Sequence, residues 1–145
     1  MNRDYFQSLL SGLNLAYDYT LMEDNELTLD ILNNVIKLTR YFCKDKEDMI
    51  MLVQELEHIE IFLHLQKLRF QKEFKYEIEG KYELNSLFIK RFCLIEPIMR
   101  FFFNHIEVQP ERREIKINLK HEKNELELRI EDIYSNLLKK FSYYI

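Results

Sequence analysis

The residues with the widest chemical range in this chain are its four histidines, His58, His64, His105 and His121. A zinc centre needs three or four His, Cys or carboxylate ligands converging on one ion, usually with a closely spaced pair among them. These histidines are scattered, and the two cysteines, Cys43 and Cys93, form no CxxC pair. No metal and no cofactor is therefore expected. His58 and His64 lie six residues apart, which on a helix puts them on different faces. Either would act as a nucleophile toward phosphorus only if a neighbouring group oriented it, and a solvated or hydrogen-bonded surface histidine is the commoner role. Asp132 has the hydrogen-bonding capacity to read a purine amine, although closing a strand is the more frequent use of such a residue. Glycine is the limiting resource. Gly12 and Gly80 are the only two, and none follows position 80. Loops that cradle phosphate need glycine so that backbone N–H groups can approach the anion, so the second half of the chain is not expected to build one.

The elements that must position these residues follow from apolar periodicity. Phe6, Leu9, Leu10, Leu13, Ala16, Tyr17 and Leu21 recur with a helical period over residues 5–22. A polar turn at 23–26, with Asn25 as a candidate cap, leads to a second helix carrying Ile31, Val35, Leu38 and Phe42. A third helix is predicted over roughly 47–71, where Met49, Leu52, Leu56, Ile59, Leu63, Gln66 and Phe70 follow steps of three and four. Phe74, Tyr76 and Ile78 then alternate with polar residues up to Gly80, which predicts a strand. Pro97 is best tolerated in a first helical turn, so a helix is predicted from about 97 to 106. Residues 115–119 and 126–130 alternate around the polar 121–124 and predict a hairpin. The tail from Tyr134 is expected to form a last helix or an irregular lid. Phe101, Phe102 and Phe103 would span most of a helix circumference. Either neighbours cover all three, or at least one is left outside as a surface for a partner.

At 145 residues and 47% hydrophobic content, the chain has ample material for a core. Its net charge of −4, with mixed signs, argues against a nucleic-acid face. Arg3 and Asp4 occupy the N-terminus without a following apolar core, and no run approaches the ~18 apolar residues of a membrane span. A cytoplasmic protein with reduced thiols and no membrane partner is expected.

Residues 55–70 read Glu-Leu-Glu-His-Ile-Glu-Ile-Phe-Leu-His-Leu-Gln-Lys-Leu-Arg-Phe. This segment resembles the one joining the phosphoacceptor region to the ATPase domain in LytS/YehU-type sensor histidine kinases, which runs ExxxIxxYLxIxxxRF. Leu38-Thr39-Arg40-Tyr41 is similar to the LRY that ends the family's second helix, and residues 74–78 match its first ATPase strand in place and pattern. The resemblance spans residues 4–131. It implies an α+β fold with an N-terminal helical hairpin over 1–71, dimerising into a four-helix bundle, and a truncated, degenerate ATPase-like α/β sandwich over 72–145.

The departures from the family pattern carry the functional expectation. The family's phosphoacceptor histidine falls on Asp4, and residues 1–57 contain no histidine at all. Anchoring on Pro97 places Arg100 and Phe101 where the family has a Glu-Asn pair, the Glu as base and the Asn on Mg²⁺. Phenylalanine offers no oxygen to a hard cation. His105 matches a trailing histidine, but Ile106 follows it in place of glycine. Asp132 is the remnant of a DxGxG motif without its glycines. The resemblance thus implies an inactive, kinase-like protein that works by protein–protein contact in two-component signalling. It would form a homodimer and bind a response regulator or sensor kinase. The Phe6, Leu9, Leu13 stripe and the Ile31, Val35, Leu38 stripe would form the dimer seam. A histidine phosphotransferase resembling the sporulation relay protein, acting through His58 or His64, is the alternative, and a structural dimer module is a third.

Overall fold

The computed structural model describes residues 2–80, 84 and 86–145. Two antiparallel helices open it: α1 (Arg3–Leu21) and α2 (Asn25–Phe42). The Asn2 side chain caps α1 by accepting from the Asp4 N–H at 2.8 Å. The cap of α2 is Asp24, which accepts from the Leu27 N–H at 3.1 Å, so Asn25 is the first helical residue rather than the cap. Carboxylate there also meets the positive end of the helix dipole. The two helices touch at Gly12, where a Cβ would stand 2.6 Å from Val35 Cγ2.

The third helix differs from expectation at its start. α3 runs Leu52–Phe70, and the residues before it, Met49–Met51, form strand β1. β1 pairs antiparallel with β3 (Phe88–Lys90), Ile50 facing Ile89. This pairing joins segments far apart in sequence, and it overrides a helical period that by itself continues smoothly through Met49. Gln54 Oε1 then accepts from the Met51 N–H at 3.1 Å and closes the first turn of α3.

A four-stranded sheet, in the order β2 (Phe74–Glu79), β4 (Arg113–Glu122), β5 (Glu125–Asp132) and β6 (Leu137–Tyr144), forms the second layer. β2 lies parallel to β4, which pairs antiparallel with β5. The predicted strand and hairpin are thus both present. The tail is neither helix nor lid: residues Leu137–Tyr144 form β6, antiparallel to β5. Its polar-rich sequence, Leu-Leu-Lys-Lys-Phe-Ser-Tyr-Tyr, hides a strand because only Leu137, Phe141 and Tyr143 pack on the core. The edge position leaves the lysines to solvent. Gly80 ends β2 with φ +84°, and a Cβ there would stand 2.1 Å from the Leu119 carbonyl oxygen, so only glycine fits.

Between β2 and β4 the chain crosses over through α4 (Ile95–Phe101) and a π turn (Phe102–Ile106). The helix begins two residues before Pro97, which sits in the first turn, where a missing N–H costs nothing. Ile115, Ile117, Leu119, Leu126, Leu128 and Ile130 are buried on one face of the sheet and meet the helical layer there. The molecule is mixed α+β, as expected, with an N-terminal helix pair. None of its helices, over the described residues, is long and apolar enough to cross a membrane.

Candidate functional site

The first turn of α1 docks on α4. Tyr5 donates from its hydroxyl to Glu96 Oε1 at 2.5 Å, and burial together with that carboxylate pushes the Tyr5 hydroxyl well above its ordinary pKa. The Tyr5 ring stacks on Phe42 at 4.3 Å and leans on Phe92. One residue earlier, Asp4 Oδ2 lies 3.6 Å from Arg100 Nε. Two of the four positions singled out in the sequence are therefore brought together, as an ion pair. On the same side, Gln7 donates to Glu107 at 3.2 Å, and Arg69 pairs with that carboxylate.

Phe101 follows Arg100 and tilts against the His105 ring, 5.1 Å away. Phe101, Phe102 and Phe103 are all buried. Neighbours cover every ring because the chain enters the π turn at Phe102, which widens the helix and changes the angular step between successive residues. Phe102 sits edge-on to Phe62 and Phe74, each at 5.5 Å, and close to Phe70 and Phe103. To serve as a partner surface, these rings would first have to be uncovered.

Asp132 lies at the end of β5, fully buried, and its carboxylate is occupied by the turn that follows. It accepts from the Tyr134 N–H at 3.0 Å, from the Ser135 N–H at 3.4 Å and from the Ser135 hydroxyl at 2.5 Å, and the Gln109 amide also donates to it. A purine amine would have to displace these donors.

Glu55 was legible only as part of a resemblance, yet it is the most consequential carboxyl in the chain. It is completely buried on α3, and its Oε1 accepts from the Ile95 N–H at 3.2 Å, fixing α3 to the first turn of α4. Burial pushes its pKa up to about 7, against backbone N–H groups at Ile95, Leu94 and Phe92 that hold it down. Among the described residues its Oε2 has no hydrogen-bond partner. The signal was its spacing, three residues after Leu52 and four before Ile59, on the buried face of the helix.

His58 and His64 diverge, as their spacing required. His64 is half-buried and lies 3.8 Å from Asp30. His58 is fixed at both ends of its ring: Nδ1 lies 2.7 Å from the Gln54 carbonyl, and the ring stacks on Tyr41 at 3.8 Å with the planes 12° apart. It lines a cavity of about 280 Å³ together with Lys37, Arg40, Lys44 and Arg91. The cysteines are free, and Cys93 carries no sign of activation, since burial pushes its thiol up. Among the described residues no His, Cys, Asp and Glu cluster could hold a metal ion.

The helix pair leaves an apolar surface uncovered. Phe6, Leu10, Leu13, Tyr17 and Leu21 are exposed along one face of α1, spaced by three and four. The expected seam on α2 is different: Ile31, Val35 and Leu38 are buried within the chain itself, and the exposed apolar residues of α2 are Leu29 and Ile36. The period alone could not tell which side of α2 meets α3.

The histidine kinase family model matches residues 9–74, from within α1 through α2, β1 and α3 to the first residue of β2. Asp4, Arg100, Phe101 and Asp132 lie outside the matched span. No curated protein matches the chain.

Proposed function

From the histidine kinase match over residues 9–74, we propose that this chain is a catalytically inactive, kinase-like protein that acts in two-component signalling by binding a response regulator or a sensor kinase. The observation that carries it is the Asp4–Arg100 pair. On the alignment that the resemblance implies, Asp4 stands at the phosphoacceptor position and Arg100 at that of the catalytic base, and the ion pair between them supports a structural role for both. Arg100 is a permanent cation and cannot act as a base, and Phe101 supplies no metal ligand. Incubation with radiolabelled ATP, or with a phosphorylated receiver domain, is expected to leave the chain unlabelled. Label that persists in the parent and disappears in His58→Gln would replace this reading with a histidine phosphotransferase. The fixed His58 ring is the specific feature that keeps the second reading in view, since its Nδ1 contact leaves Nε2 as the available nitrogen.

The active form is a homodimer in which the α1–α2 hairpin of each copy contributes to a four-helix bundle. Seven large apolar residues exposed on one hairpin support it: Phe6, Leu10, Leu13, Tyr17 and Leu21 on α1, Leu29 and Ile36 on α2. Their spacing suits a helix–helix seam. Leu13→Asp tests it without disturbing the fold, because Leu13 is 49% exposed in the single chain. Light scattering is expected to report a dimer for the parent and a monomer for the variant, both with the same helical content, because an unpaired charge in a buried seam costs on the order of several kcal/mol. A variant that stays dimeric would place the interface elsewhere.

A further inference from the structure

The cavity between α2, α3 and the turn after β3 is lined by cations from two separate segments of the chain. Lys37 and Arg40 project from α2, Lys44 follows just beyond its C-terminus, and Arg91 enters from the turn after β3. Among the described residues no carboxylate lines it, although the chain as a whole carries a net charge of −4. Among the described residues, Lys37, Arg40 and Lys44 have no acidic partner. Arg91 is paired with Asp48 and Arg40 meets the negative end of the α2 dipole, but Lys37, Arg40 and Lys44 still gather around about 280 Å³ without an ion-pair partner among the described residues.

Arg91 shows that the site is built and is not a chance meeting of surface lysines. Its side chain is only 12% exposed, it pairs with Asp48 at 3.0 Å, and among the described residues its Nε has no hydrogen-bond partner. Its backbone is anchored too, the Arg91 N–H donating to the Asp48 carbonyl at 2.9 Å. The next residue, Phe92, is held at φ +70°, a conformation an aromatic residue rarely adopts, and its buried ring locks the turn against Tyr5, Tyr41 and Phe42. The opposite wall is the His58–Tyr41 stack. With Nδ1–H donated to the Gln54 carbonyl, a neutral His58 presents an acceptor at Nε2, so this stack walls the cavity and the cations opposite hold the anion.

We propose that this cavity binds a small anion bearing a diphosphate group. Two guanidinium groups supply planar forks that match phosphoryl oxygens in pairs, and two ammonium groups supply mobile point charges at the rim. A single monovalent anion would leave most of this charge unmatched. The site uses none of the residues assigned to the dimer seam or to the Asp4–Arg100 pair, so it stands whether or not the chain is an inactive kinase relative.

Titration calorimetry of the full chain with sodium pyrophosphate, in low-salt buffer without divalent metal, tests it. Saturable binding of one pyrophosphate per chain is expected at or below about millimolar concentration, weakening as salt is raised. Lys44→Glu, at an exposed position, is expected to weaken binding by at least tenfold. Lys72→Glu makes the same charge change at an exposed residue outside the cavity and is expected to leave binding within a factor of two. Absence of saturation in the parent would overturn the proposal, as would equal weakening by the two variants, which would reduce the effect to bulk charge. Circular dichroism of each variant guards against loss of fold, and Arg40→Gln, also exposed, provides a second reading of the same cavity.

Discussion

Phe102→Ala is expected to produce the largest loss of stability of any single truncation in the back half of the chain. Phe102 is fully buried and is the hub on which Phe62, Phe70, Phe74 and Phe103 converge, joining α3, β2 and the π turn. Removing a ring there forfeits its transfer free energy and leaves a cavity that four neighbouring rings cannot close without losing their edge-on contacts, about 3–5 kcal/mol in all. Against roughly 5–15 kcal/mol for a small domain, that corresponds to a fall in melting temperature of about ten degrees or more. Thermal unfolding should be followed at one fixed protein concentration, since association would itself shift the midpoint. Phe102→Leu keeps most of the volume and should lose much less. Phe101→Ala also empties a buried position, but among the described residues its ring contact is with His105 alone, and its loss should be the smaller. A Phe102→Ala protein that melts like the parent would mean the layers are not held together at this point.

Glu55→Gln is expected to change the shape of the stability–pH profile. In the folded chain, burial raises the Glu55 carboxyl from its ordinary 4.5 to about 7. Between those values the native state holds a proton that the unfolded state releases, so stability falls as pH rises through the window and levels off above it. The span corresponds to roughly 3 kcal/mol, lost between about pH 4.5 and 7 for this group. Glutamine keeps an oxygen that can accept from the Ile95 N–H and never ionises. The variant should therefore follow the parent at about pH 5 and exceed it by up to about 3 kcal/mol at about pH 8, with a flatter denaturant midpoint in between. Equal destabilisation at both ends of the range would show that the carboxyl is held charged by the α4 N–H groups and that its desolvation is not the dominant effect. Glu55→Ala is the useful contrast: it strands the α4 backbone donors and should destabilise at every pH.

Much of this protein is determined by sequence pattern alone. The apolar periods specify α1, α2 and the body of α3. The alternation in residues 74–79 and 113–132 specifies a strand and a hairpin, because one face of the sheet is buried and side chains alternate across it. The scarcity of glycine argues against an ordinary phosphate loop, and on the family resemblance Asp4 and Phe101 stand where a histidine and an asparagine would be expected. What the pattern could not supply are the features that depend on partners distant in the chain. Met49–Met51 reads as helix until Phe88–Lys90 pairs with it. The tail becomes β6 only because β5 offers a free edge. Helical periodicity marks the apolar residues of α2 without saying that Ile31, Val35 and Leu38 face inward while Leu29 and Ile36 face out. The same limit hides the site. Lys37, Arg40 and Lys44 show an i, i+3, i+7 spacing in the sequence, but a basic helix face is ordinarily just solvated. It becomes a cavity when a turn some fifty residues away inserts Arg91 opposite it, and Asp4 meets Arg100 only when α1 packs on α4. Local pattern sets which elements form because neighbouring residues share one backbone geometry. Which side chains meet is decided by packing between elements, where burial and charge act over distances the linear sequence does not record.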